Sequence, residues 1–247
     1  MRNWQIYNIF NSKIITSGST TKSSNFFNSF SLALHSGDNK EEIKKNREEF
    51  KKHFKNFKFV SQHQVHSNRI IDIDNIDILN GWIELTTKAD GFITSKKGIM
   101  LNILTADCLA IIAADEENSI IGAAHSGWRG TQQEISKKLI EKMLQKGAKI
   151  ENIKCAISPG ICGKCYEVGQ EVIEQFKNYP QAIKAKANGK YLFDNTKVNI
   201  AQLQELGINP KNIETTNYCT YCNNNQYFSY RKGDIKGRFV TFIGMVE

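Results

Sequence analysis

The segment TADCLAIIAADEENSIIGAAHSGWRGT, residues 105–131, constrains the fold of this chain more than any other. Apolar runs that read as adjacent strands lie around it. Ile99 to Leu104 leads into Thr105-Ala106-Asp107-Cys108, and Ser119 to Ala124 leads into His125-Ser126-Gly127-Trp128-Arg129-Gly130. Polar residues that close apolar β runs sit at a sheet edge, where ligands have access. Cys108 and His125 are therefore expected to face one site.

A helix is expected at once, with Thr131 as N-cap and Glu134 completing a capping box. Ile135, Leu139 and Met143 give its apolar face, and Gly147 gives its stop. Such a helix would aim its free N–H groups toward His125, and Arg129 offers a planar fork suited to phosphate or carboxylate. Gly127 and Gly130 would let the backbone approach a ligand closely. A surface arginine after a glycine turn is the plainer alternative.

A third candidate, His66, falls in the turn between KFVSQ and the alternating run Arg69 to Asp74. One cysteine and two histidines match a catalytic zinc site, with three protein ligands and an open fourth position. Taken one at a time, a lone histidine is more often a hydrogen-bonded loop residue and a lone cysteine a buried, apolar-like side chain, and spacing alone leaves those readings open.

QVH around His66, TADC through Cys108, AAHSGWRGT through His125, SPGICGKCYEVGQEV and CTYCNNNQYFSYRKGDIKGR together resemble a bacterial family known as laccase-domain or polyphenol oxidase proteins, to whose members purine nucleoside phosphorylase activity is assigned. The resemblance runs from about Leu34 to the C-terminus. It implies a single-domain mixed α/β enzyme with zinc held by His66, Cys108 and His125. The implied reactions are phosphorolysis of adenosine, inosine and methylthioadenosine, and deamination of adenosine. His35, Gly37, Asp38 and the Asn46-Arg47 pair also match. The segment TSGSTTKSSNFFNSFSLALHSGD departs from the family, which carries an arginine and a Gly-Gly-Val-Ser stretch there. Asp38 also suits an ordinary role, as N-cap of a helix bearing Ile43, Arg47, Phe50 and Phe54.

Phosphorolysis of a nucleoside needs a phosphate holder, an acid or electrophile for the leaving base, and apolar walls. Arg129 and the helix after it suit the phosphate, with Arg47 a second candidate. Tyr230 and Arg231 in FSYRKGD could reach the same pocket, and His35 is a further substrate-side candidate. For deamination, a metal-activated water is a suitable nucleophile. Asp107 is a candidate general base or orienting group, and Glu167 an alternative that equally fits the first turn of a helix. A copper-dependent polyphenol oxidase is the alternative class. Five histidines without an H-x-H pair do not supply a multicopper ligand set, although copper outcompetes zinc at N/S sites. A metal-free Cys108/His125 hydrolase is another.

Length and composition fit one catalytic domain over residues 1–247. Three scattered prolines mark no linker, and no 20-to-50-residue period repeats. The polar start MRNWQIYNIF is no signal peptide and no apolar run approaches a membrane span, so a cytoplasmic enzyme without a membrane partner is expected. The net charge of +8 and pI near 9.1 invite a nucleic-acid reading. The lysines are interleaved with glutamates on helix surfaces such as EEIKKNREEFKKHFKNFK, so nucleic acid is not expected as a partner. The expected partners are purine nucleosides and phosphate. Six cysteines without an export signal read as thiols or ligands before disulfides. The pairs Cys162/Cys165 and Cys219/Cys222 are too far apart in sequence for a zinc ribbon and would have to meet through tertiary folding to build a second, structural zinc site; a nearby pair that stays reduced is the default.

Strands are expected at 91–94, 99–104, 109–114, 119–124, 153–158, 226–230 and 238–245, and helices at 40–54, 131–146, 167–178 and 195–206. This order predicts an α+β (mixed α/β) fold with a mixed β-sheet and outer packing helices. No dinucleotide or P-loop fingerprint is present.

Overall fold

In the computed structural model, which describes residues 3–247, every residue of the strands Ile99–Thr105, Leu109–Asp115 and Ile120–Ser126 is buried. Burial on both faces explains why these runs are continuously apolar instead of alternating. The fold is the mixed α+β arrangement expected, with its strands divided among three sheets. The first runs, edge to edge, through Trp4–Gln5, Ile15–Thr20, Phe239–Met245, Ile99–Thr105, Lys58–His63 and Trp82–Lys88. The second runs through Ile213–Thr215, Lys154–Ile157, Leu109–Asp115, Ile120–Ser126, Gly91–Thr94 and Ile70–Asp72. Both mix parallel and antiparallel pairs.

The two sheets face each other. Val60, Leu101, Ile103 and Ile243 from the first share one core with Phe92, Ala110, Ile112, Ile121 and Ala123 from the second. The alternate residues point outward and are covered by helices. Leu109, Ile111 and Ala113 pack under Ile135, Leu139, Ile140 and Met143 of the helix Ile135–Gln145. Met100, Leu104 and Phe242 pack under Phe50 of the helix Lys40–Lys52. The layers are thus helix, sheet, sheet, helix. Each fully buried Leu, Ile or Phe side chain contributes about 1.5–3 kcal/mol. A third, antiparallel sheet of Glu167–Val168, Tyr191–Phe193 and Ile183–Ala185 packs beside Val198 and Trp128. No helix of the described residues is long and apolar enough to cross a membrane.

Several local expectations shift. Ile99–Thr105 lies in the first sheet, so Ile120–Ser126 pairs instead with Leu109–Asp115, with Leu109 opposite Ser126. Cys108 therefore sits where the chain crosses between the sheets. The helix expected over 131–146 is broken: Trp128–Gln132 is a short helix capped by Gly127, and Glu134 (φ 59°) precedes the next. Thr131 is not an N-cap. Its hydroxyl is buried, donates to the Gly127 carbonyl (3.1 Å) and meets Ser126 Oγ (2.8 Å) and Asn199 Nδ2 (3.1 Å), tying the Gly127 turn to the helix Asn195–Glu205. Asn39 caps Lys40–Lys52, its side chain accepting from Glu41 N and Glu42 N, in place of Asp38. Residues 167–178 open as a strand and continue as short helical turns, and 226–230 forms turns leading into a 3-10 helix at Tyr230–Lys232.

Candidate functional site

Three chain segments converge at the crossover. His66 comes from the loop after Lys58–His63, Cys108 from the crossover itself, and His125 from the end of Ile120–Ser126. One ligand atom from each lies within 4.8 Å of the other two, and the imidazole centroids are 4.8 Å apart with the rings edge to face. Space around them is tight. A Cβ on Gly127 would come within 2.9 Å of His66 Cδ2 and 3.0 Å of Cys108 Sγ, so glycine there leaves these two donors room.

The fully buried Asp90 organises two of the three. Its Oδ1 accepts from His66 N (2.9 Å) and pairs with His125 Nδ1 (2.9 Å). Its Oδ2 accepts from Val65 N (3.1 Å), Ser67 N (2.7 Å) and Ser67 Oγ (2.7 Å). His66 adopts a left-handed backbone (φ 59°), a conformation that costs on the order of 1–3 kcal/mol and persists because these amides are captured together. With Nδ1 of His125 committed to a carboxylate, Nε2 is left for the cluster, the second-shell arrangement of metal-ligating histidines. Burial alone would raise the Asp90 carboxyl; hydrogen bonding and charge from His125, then Ser67, outweigh it and hold the pKa at about 2.

The same competition sets the cluster's own protons. Burial would push the Cys108 thiol up, but His125 and then His66 bring it down to about 6. Burial would lower His125, but hydrogen bonds to Asp90 and Cys108 raise it to about 9. Both shifts run in the direction that favours a thiolate against an imidazolium when no metal is bound. A thiolate and two imidazoles within 4.8 Å, one backed by a carboxylate, fit a tetrahedral metal with one open position.

The cluster opens on a cavity of about 450 Å³, within the range of small-molecule sites. Leu104, Ile161, Trp128 and Tyr166 give it apolar walls, and His35, Tyr230 and Arg231 also line it. Arg129 does not. It is exposed, with its guanidinium over the Trp128 ring (4.3 Å). Arg47 is buried elsewhere, donating to Glu84 Oε1 (2.6 Å) and the Leu32 carbonyl (2.8 Å). Both arginines expected to hold an anion are thus outside the cavity. Arg238, which sequence reasoning missed, lines it instead, although it closes the quoted block ending DIKGR. Arg231 and Arg238 form no ion pair among the described residues; Arg238 donates to the Ile235 (3.1 Å) and Gly237 (2.7 Å) carbonyls. Nothing in the sequence around Asp90 marks its role.

Asp107 lines the cavity from a bend with φ 86°, not from a strand. Both its oxygens are occupied, by Thr220 Oγ1 (2.6 Å) and Arg231 N (2.7 Å). Glu167 lies outside the cavity lining and pairs with Lys186. The two C-x-x-C pairs, which could meet only through tertiary folding, do come together: the four Sγ atoms lie within 4.8 Å of one another.

The chain is similar to known proteins along nearly all of its length. A family model described as multi-copper polyphenol oxidoreductase laccase matches residues 13–246. Purine nucleoside phosphorylase YlmD of Bacillus subtilis (strain 168) is 30% identical over 252 residues, covering 96% of this chain and 91% of that protein. Adenosine deaminase RL5, from an unknown prokaryotic organism, is 34% identical over 198 residues, covering 75% of this chain and 74% of that protein. The crystal structure of YlmD from Geobacillus stearothermophilus superposes with a TM-score of 0.89 at 26% identity, covering 100% of this chain and 97% of that one. The crossover cysteine, its two histidines and the sheets that carry them therefore belong to a chain of the family described as multi-copper polyphenol oxidoreductase laccase.

Proposed function

We propose that this chain is a zinc-dependent purine nucleoside phosphorylase, a single catalytic unit that cleaves adenosine, inosine and methylthioadenosine with phosphate and deaminates adenosine in the same site. One observation carries the reading. A single cavity is lined both by a His-Cys-His cluster with metal-ligand spacing and by two arginines, Arg231 and Arg238, that form no ion pair among the described residues. The names of the relatives, purine nucleoside phosphorylase and adenosine deaminase, supply the substrate class.

His66, Cys108 and His125 hold the ion, and Asp90 fixes His125 as an Nε2 donor. Zinc held by these residues would supply Lewis acidity to the reaction. Arg231 and Arg238 hold the phosphate, each charge-assisted contact being worth about 1.5–3 kcal/mol. Arg129 and Arg47 are not assigned that role, because one stacks on Trp128 at the surface and the other is consumed by Glu84. Trp128 and Tyr166 offer aromatic faces to the purine, and His35 and Tyr230 bound the ligand from further along the wall. Asp107 acts as a positioning residue, since both of its oxygens are already accepting hydrogen bonds.

Incubation with inosine or adenosine tests this. Free base should appear only with phosphate present, with ribose 1-phosphate as co-product. Equal release without phosphate means hydrolysis instead. Oxidation of a diphenol without any nucleoside turnover assigns the chain to a polyphenol oxidase. The lowered Cys108 thiol beside His125 favours one second reading, a metal-free cysteine hydrolase. Under that reading, chelation of metal leaves turnover intact and alkylation of Cys108 abolishes it.

A further inference from the structure

We infer that Cys162, Cys165, Cys219 and Cys222 bind one zinc ion in a closed tetrathiolate site, separate from the His66–Cys108–His125 cluster, and that this ion fastens the loop that bears the cavity residues Ile161 and Tyr166 to the loop that bears Thr220. The inference rests on the cysteines themselves and is independent of which substrate the cavity takes.

Each loop contributes a C-x-x-C pair, the spacing with which one turn of backbone presents two thiolates to one ion. The pairs are 57 positions apart and meet through local backbone contacts, not chance proximity. Gly160 bridges to Cys219 in parallel β fashion, Thr220 N donates to the Gly160 carbonyl (3.0 Å), and Cys162 N donates to Cys219 Sγ (3.3 Å). Amides aimed at sulfur stabilise a thiolate. Glycines let the first loop lie close against its neighbours: a Cβ on Gly160 would meet Leu109 Cδ2 at 2.4 Å, and one on Gly163 would meet Asp194 Cβ at 2.6 Å.

Distances choose the occupant. Tetrahedral zinc with bonds of about 2.3 Å sets its four sulfurs roughly 3.8 Å apart. All four Sγ atoms here lie within 4.8 Å of one another, Cys165 and Cys222 at 3.3 Å. An iron–sulfur cluster needs room between the cysteines for several irons and sulfides. A Cys165–Cys222 disulfide, with sulfurs about 2.05 Å apart, would use two of the four thiols and leave Cys162 and Cys219 facing each other unexplained.

The location gives the ion its consequence. Cys165 is followed by Tyr166, a cavity wall residue lying under the Arg231 guanidinium (5.2 Å). Thr220, between Cys219 and Cys222, donates to Asp107, the residue before Cys108. A closed site therefore braces the cavity without taking part in the chemistry.

The test is a metal count on the full chain, purified under reducing conditions without a metal-binding tag. Wild type should carry two zinc ions per chain, and the Cys165→Ser/Cys222→Ser variant and Cys108→Ser should each lose one. Should the double variant fail to fold, metal-stripped Cys108→Ser reloaded with cobalt(II) alone should show the intense sulfur-to-cobalt charge-transfer and visible bands of a tetrahedral tetrathiolate. One zinc in wild type that Cys108→Ser removes entirely, a cobalt spectrum without those bands, iron in place of zinc, or no more than four of the six thiols free on unfolding without reductant would each overturn the inference.

Discussion

The two sulfur-bearing clusters differ in donors and in surroundings. The first has one thiol and two imidazoles, is braced by a buried carboxylate, and opens on a cavity of about 450 Å³. The second has four thiols on two loops, and a fourfold donor set leaves an ion no vacant position. Three donors with a vacancy suit chemistry; four without one suit bracing. Asp107 joins the two, contacting Thr220 of the second while preceding Cys108 of the first.

Removing a donor from the open site should have the largest effect. His125→Ala should cost one metal ion and depress both base release and ammonia release by about 100-fold or more, the upper end of what losing even a supporting partner costs. Ammonia and base assayed side by side check this, and loss of only one product would break the idea of a shared site. Asp90→Asn should come next, with an activity or metal-affinity loss of roughly 10–100-fold while the four-cysteine ion is retained. Metal release from both clusters at once would show that Asp90 supports the fold at large.

Arg238→Ala should slow phosphorolysis by about 10–100-fold through loss of a charge-assisted contact of about 1.5–3 kcal/mol, and deamination less, because no phosphate is held there. Arg129→Ala, at the surface, should change stability by no more than about 0.5 kcal/mol and leave both rates near wild type. A reversal between the two arginines would return the anion site to the short helix.

The smallest effect is a proton equilibrium. A thiol with a lowered pKa is deprotonated above that pKa, so alkylation of Cys108 in metal-stripped protein should rise through pH 6 and level off while an ordinary thiol is still gaining reactivity. Cys155, whose thiol burial pushes up to about 12, should stay inert over the same range. Mapping the alkylated peptide at each pH distinguishes them, and a Cys108 midpoint near that of a free thiol would show that His125 does not stabilise the thiolate.

Much of the fold was readable where burial is extreme. Strands 109–115 and 120–126 announce themselves because both faces are covered, one by the opposing sheet and one by a helix. The three cluster donors were readable because each closes a run or fills a turn. Thr131-x-x-Glu134 has the pattern of a capping box, yet tertiary contacts with Ser126 and Asn199 claim the threonine. Arg129 stands next to the right residues in sequence but faces away, whereas Arg238 reaches the cavity from the approach to the C-terminal strand. The meeting of the cysteine pairs depends on one bridge, Gly160 to Cys219, which no local pattern encodes.

The central claim is that the open cluster is the working metal centre. Inosine turnover by Cys108→Ser, assayed with saturating phosphate on protein whose metal content has been counted, tests it most directly. The expected result is a folded chain that has lost one metal ion and its phosphorolysis together. Wild-type turnover by that chain, with the metal gone, would contradict it.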